Sequence, residues 1–203
     1  MSTRAEIVRF TYRKLAYVRA AAQTGEGKGI LATLRKGTGH EPGDMPELFG
    51  ILLDDMPEEF MSETIQPTKE EWACFTALTL YAMHQQGNDV KTAPMDTEDA
   101  VSIGKAMADF ALSLKDSNAK KRMAVKLQAL ASSKDMGEFS YHLRNVIKLL
   151  KTKGIRLNYA ELAGDIYYYQ IPEYKSGVFL KWGQDFYRKM KKENDAEEAK
   201  TNE

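Results

Sequence analysis

The chain has 203 residues, 43% of them hydrophobic and 29% charged, which suits one large domain or two small ones. No apolar run approaches the roughly 20 residues that cross a bilayer, and Met1-Ser2-Thr3-Arg4-Ala5-Glu6 lacks the apolar stretch of a signal peptide, so a cytoplasmic protein without membrane contact is expected. A single cysteine, Cys74, and three histidines exclude an internal disulfide and argue against a structural zinc site, which needs four ligands.

Lysine plus arginine number 29, as do aspartate plus glutamate, for a formal net charge of zero. The charge is nevertheless segregated. Residues 1–39 hold eight basic and two acidic residues, residues 41–71 hold one basic and ten acidic, and residues 115–156 hold eleven basic and three acidic. Segregation of this kind makes local fields that the net value hides.

Thr3 with Glu6 has capping-box spacing and opens a helix to about Gln23. After Gly25, Gly27 and Gly29 a second helix covers about 30–36 and stops at Gly37-Thr38-Gly39. A short helix spans about 46–53. Pro57 and Pro67 bracket an acidic connection, and Thr68 with Glu71 opens a helix to His84, with Trp72, Phe75, Leu78, Thr79 and Met83 on or near one face. Asp96 or Thr97 starts a helix to about Leu114. Further helices follow over about 119–132, 135–153, 159–170 and 173–192, with Asn158 and Glu161 at a capping start and Pro172 near the first position of the last helix. No segment shows convincing strand alternation. The expected fold is all-α, with eight or nine helices in two small helical subdomains. The division falls between Gly87 and Ser117 and is taken as 1–95 and 96–192, the second part an antiparallel bundle. Val178, Trp182, Phe186 and Met190 form a core stripe of the last helix. Residues 193–203 have almost no apolar content and are expected to be disordered.

Catalytic constellations are lacking, and a non-enzyme without cofactor or metal is expected. Gly25-Glu26-Gly27-Lys28-Gly29 follows no strand and matches neither a P-loop nor a dinucleotide fingerprint. His40, His84 and His142 read as caps or hydrogen-bonded, partly buried residues. Cys74 reads as a small buried hydrophobe.

The basic segments carry a different chemistry. Leu143, Val146, Ile147 and Leu150 form an apolar face, while Arg144, Lys148 and Lys151 stand at i, i+4 and i+7 beside it. These three span about 10 Å of helix, within reach of successive phosphates. The preceding helix adds Lys120, Lys121, Arg122 and Lys126, and Arg35-Lys36 closes the second helix. Little signals base readout, so sequence-independent, backbone-dominated binding is expected.

Several blocks, in order, resemble the CasB family, the small subunit of the type I-E CRISPR Cascade surveillance complex. They are Leu31 to Gly37, Pro46-Glu47-Leu48-Phe49, Thr76 to Gln86, Ser102-Ile103-Gly104-Lys105-Ala106-Met107, His142-Leu143-Arg144 through Leu150, Leu157 to Ile166, and Trp182-Gly183-Gln184-Asp185-Phe186-Tyr187. The resemblance implies an all-helical, non-catalytic subunit, present as two copies head to tail. Its implied partners are the backbone subunits that carry the guide RNA and the large subunit. It implies contact with guide RNA and with target and non-target DNA strands, stabilising the hybrid and the displaced strand of the R-loop in antiviral defence. The nucleic-acid-facing positions it implies are Arg35, Lys36, Lys105, Arg122 and Arg144, with Lys121, Lys126 and Lys148 as neighbours. Asn145 stands where a second basic residue often follows the Leu-Arg pair. The alternative reading is a protein–protein scaffold with little nucleic acid affinity of its own, its acidic 41–71 stretch docking a basic surface.

Overall fold

The structure, a computed structural model, describes residues 3–24, 27–89, 95–96, 101–114 and 116–201, with side chains to residue 193. Among them lie nine α-helices: α1 (Arg4–Ala22), α2 (Gly27–Lys36), α3 (Phe49–Leu52), α4 (Lys69–Gln85), α5 (Ile103–Ser113), α6 (Ala119–Ala131), α7 (Met136–Thr152), α8 (Tyr159–Tyr169) and α9 (Pro172–Thr201). Two 3-10 turns, Pro46–Leu48 and Glu58–Phe60, complete the regular structure. The fold is all-α; the described residues contain one isolated bridge, Val101 with Leu157, and no strand.

The local start signals form as the sequence dictates. The Thr3 and Thr68 N–H groups donate to the Glu6 and Glu71 carboxylates at 2.7 Å in both cases, and each threonine hydroxyl accepts the reciprocal bond. Asn158 Oδ1 accepts from the Glu161 N–H at 3.0 Å. These bonds satisfy first-turn donors that have no partner within the helix.

Three element boundaries differ from expectation. Helix α2 begins at Gly27 rather than residue 30, with Gly27 buried so tightly against the end of α1 that a Cβ there would collide with the Ala21 carbonyl oxygen. Helix α5 begins at Ile103, with Ser102 as its cap, rather than at residue 96 or 97. Asp96 is tied to Arg19, whose Nη1 donates to the Asp96 carbonyl at 3.0 Å. The Met95 and Val101 carbonyls accept from the Leu157 and Asn158 N–H groups, which holds Met95 and Val101 out of the helix; Thr97 lies outside the described residues. Helix α9 runs on past residue 192 to Thr201, with Lys189 and Glu193 forming an i, i+4 pair at 3.7 Å on its way.

Helix α4 is buried on nearly every side, not on one face: all residues from Ala73 to Ala82 are inside, while Trp72 and Met83 are half-exposed. It is packed by α1, α2, α7 and α8, and a helix surrounded in this way has no solvent face to keep polar. Cys74 is fully buried, and burial pushes its thiol up to about 12. Helix α8 is the second central element. It packs on α1 and α4 and also on α9, so one continuous core runs from Ile7 to Met190.

The C-terminal helices meet at a joint between α5 and α9. Ser102 Oγ donates to Asp185 Oδ2 at 2.6 Å. Gly104 lies so close to the α9 backbone that a Cβ there would collide with the Trp182 carbonyl oxygen. Trp182 is fully buried, and its Nε1 donates to Asp165 Oδ2 at 2.8 Å. Gly104→Ala is therefore expected to destabilise the protein by about 1–3 kcal/mol, the usual cost of overpacking, read as a lowered urea midpoint; an unchanged midpoint would mean that α5 and α9 are free to separate there.

Candidate nucleic-acid interface

Three elements converge beside α4. The turn after α2 is fixed by Thr38 Oγ1, which donates to the Thr79 carbonyl at 3.1 Å. Gly39 follows with φ of +95°, a conformation that favours glycine. Its open side is filled by Arg144 of α7, whose Nη1 would stand 2.6 Å from a Cβ. The guanidinium also lies 5.8 Å from the centre of the Tyr141 ring. One turn further along α7, Lys148 is exposed. Lys151 then donates to the Met83 carbonyl at 3.0 Å and to Gln86 Oε1 at 3.1 Å. Its pKa is lowered, first by partial burial and then by the positive charge of Arg35, so the end of α2 and the end of α7 share one electrostatic neighbourhood. Lys36 is exposed beside Arg35.

Arg35, Lys36, Arg144, Lys148 and Lys151 have no carboxylate partner among the described residues. Ser140 Oγ and Arg144 Nε, in the cleft between α7 and the 38–40 turn, are buried without hydrogen-bond partners. Several other cations are neutralised on the spot. Arg4 pairs with Glu161 and Asp165, Lys14 with Asp55, and Arg19 with Asp96.

The remaining candidates sit apart from this cluster. Lys121, Arg122 and Lys126 ride on α6, which forms a hairpin with α7. Arg122 is paired with Asp116 at 2.7 Å, and the Asn118 N–H and Arg122 together hold that carboxyl below its usual range. Such exposed, solvent-screened pairs are weak, so a phosphate can displace the carboxylate. Lys105 is exposed on the first turn of α5, and its N–H is capped by Ser102; no contact joins it to Arg35 or Arg144. Of the cluster, Lys151 was marked in the sequence only by its i+7 spacing from Arg144. Its anchorage on the end of α4 needed the fold.

The histidines take structural places. His40 Nδ1 is 3.5 Å from Asp44, and His142 Nε2 is 3.8 Å from Glu138. His84 is fully buried, with Nδ1 at 2.8 Å from the Tyr159 hydroxyl. Burial, assisted by Lys151, pulls its pKa down to about 4. Nearby, burial pushes the Asp96 carboxyl up to about 6 against the opposing pull of Arg19.

These two groups oppose each other as pH changes. Neutral His84 contributes stability above its ordinary 6.5 that is lost as pH falls toward about 4. Protonated Asp96 contributes stability below its ordinary 3.8 that is lost as pH rises through about 6. Each amounts to about 3 kcal/mol. Relative to the wild type, Asp96→Asn should therefore lose urea stability more steeply between pH 6.5 and 4, and His84→Gln less steeply. Parallel pH profiles for all three proteins would show that neither group is held in its neutral form.

The geometry defines a class: an all-α protein, with nine α-helices among the described residues, that gathers unpaired cations at the ends of α2 and α7. Among the described residues no helix is long and apolar enough to cross a membrane, and no group of three or more His, Cys, Asp or Glu side chains is placed to hold a metal. Residues 30–187 match the family model of CRISPR-associated protein Cse2, and the chain belongs to that family. Two solved structures share the fold. CasB from Thermobifida fusca is 22% identical with a TM-score of 0.70, covering 89% of this chain and 97% of its own. A Cse2-family CRISPR-associated protein from Thermus thermophilus is 17% identical with a TM-score of 0.63, covering 87% and 97%. No curated protein sequence matches the chain.

Proposed function

We propose that this Cse2-family chain is the non-catalytic small subunit of a type I-E Cascade complex, in the cytoplasm. In that role it holds the guide RNA–target DNA hybrid and the displaced strand through Arg35, Lys36, Arg144 and Lys148. Lys121, Arg122, Lys126 and Lys105 provide flanking contacts. The observation that carries this reading is the convergence of the α2 and α7 cations on one surface without carboxylate partners. Packing like charges together is unfavourable in the free protein, and a polyanion relieves it. Strand exchange in an R-loop is nearly balanced in base-pairing energy, so a few phosphate contacts are enough to tip it. The partners on this reading are the Cascade backbone and large subunits and a second copy arranged head to tail.

A scaffold role draws on the acidic connection between α2 and α4. It encloses an apolar pocket of about 230 Å³ that includes Met45, Phe49, Leu52 and Met56, with Ile65 at its edge 96% exposed. The two roles are compatible within one complex.

The test is binding to two unrelated single-stranded DNAs across a salt series. Equal affinity is expected, with log K falling at a slope of about −3.5 for about five neutralised phosphates. Arg35→Glu with Arg144→Glu should weaken binding at least about tenfold and make the slope shallower by about 1.4. Because Arg144 packs on Gly39 with a buried Nε, folding of this variant is checked by circular dichroism, and Lys36→Glu with Lys148→Glu, both at exposed positions, should weaken binding at an unchanged melting temperature. Wild-type affinity in either double variant would sink the assigned surface.

A further inference from the structure

Helix α1 carries a second arrangement of cations, outside the stretch that matches the family model. Arg9, Tyr12, Arg13 and Tyr17 stand at i, i+3, i+4 and i+8, which places them on one side of the helix. All four are exposed, Tyr12 to 47% and Tyr17 to 56%. The opposite side, with Ile7, Phe10 and Val18, is buried in the core. Beside this strip lies a groove of about 400 Å³, lined by Val8, Arg9, Tyr12 and Arg13 of α1 and by Asn158 and Ala160 at the start of α8.

The carboxylates within reach are already committed. Glu161, on the groove wall, is bonded to Arg4 at 2.6 Å. Glu6 closes the capping box with Thr3. Arg9 and Arg13 have no ion-pair partner among the described residues, and Arg13 is held 5.8 Å from the centre of the Phe10 ring. The two arginines are separated by about 6 Å along the helix, with tyrosine rings flanking them.

We infer that this face of α1 is a second binding track, for single-stranded nucleic acid. Arg9 and Arg13 take successive phosphates, and Tyr12, at the lip of the groove, stacks on a base. An acidic peptide would satisfy the arginines but would leave the exposed rings without partners, whereas any base offers a flat face to them. The track lies on helices other than α2 and α7, so it does not depend on the surface assigned above.

The experiment uses the full chain carrying Arg35→Glu and Arg144→Glu, with oligothymidylate as probe and tyrosine fluorescence as readout at low salt. Residual binding with quenching is expected. Adding Arg9→Glu and Arg13→Glu should reduce it at least about tenfold and make the salt slope shallower by about 1.4. Adding Tyr12→Ala alone should reduce affinity at least about fivefold and remove part of the quenching. All three side chains are exposed and outside any ion pair among the described residues, so the melting temperature should change little. The inference is overturned by unchanged affinity and slope on reversing Arg9 and Arg13, by absence of quenching at low salt, or by polyglutamate competing as well as oligothymidylate. Arg9→Glu with Arg13→Glu in the otherwise wild-type chain separates the two surfaces: loss there with the α2–α7 surface intact belongs to this track alone.

Discussion

A single buried carboxylate ties the first, eighth and ninth helices together. Asp165, on α8, has a side chain only 6% exposed. Its Oδ1 accepts from Arg4 of α1 at 2.7 Å, its Oδ2 accepts from Trp182 of α9 at 2.8 Å, and Lys181 stands 3.8 Å away. A buried charge is tolerated only when its acceptor sites are filled, so this one group fixes the first helix, the central helix and the last helix with respect to one another. The α5–α9 joint is set by the same tie, because the tryptophan that donates to Asp165 also presents its carbonyl to Gly104. Leaving Asp165 without Arg4 belongs to the class of changes that cost about 3–5 kcal/mol.

The distribution of carboxylates explains how a chain of zero net charge exposes a basic surface. Many acidic side chains are used up in helix starts, such as Glu6 and Glu71, in buried ties such as Asp96 and Asp165, or are gathered in the connection between α2 and α4. The ends of α2 and α7 are left with cations that no carboxylate pairs with among the described residues. Part of this cost is visible in Lys151, whose ammonium is destabilised by burial and by Arg35 together. Its bonds to the Met83 carbonyl and Gln86 hold it in place despite that.

What the sequence made legible was mostly local. Capping pairs such as Thr68 with Glu71 are decided within four residues, and these helix starts formed where the spacing put them. The start of α5 was illegible because distant groups decide it: Arg19 holds Asp96, and Leu157 holds the Met95 carbonyl. The blocks at 102–107 and 182–187 were recognisable separately as family-like motifs. Only the fold shows that they are two halves of one joint, with Ser102 bonded to Asp185 and Gly104 against Trp182. Likewise Arg35 and Arg144 stood out singly as basic positions, but their common surface depends on Gly39 clearing room for a guanidinium from another helix. The strip on α1 was in view as a count of basic residues; its meaning depends on which side of α1 the core occupies.

Zero net charge has a functional consequence on the proposed reading. A uniformly basic protein is drawn to every nucleic acid it meets, since long-range attraction follows the summed charge. Here the attraction is confined to particular faces, and beyond a Debye length of about 8 Å at physiological salt those faces are screened. Capture of a free strand is then weak, while a strand already delivered to the surface by a larger assembly meets several cations at once at a high effective concentration. A chain built this way adds little to recognition and much to retention, which is the division of labour expected of a subunit that steadies a hybrid whose sequence has been read elsewhere by base pairing.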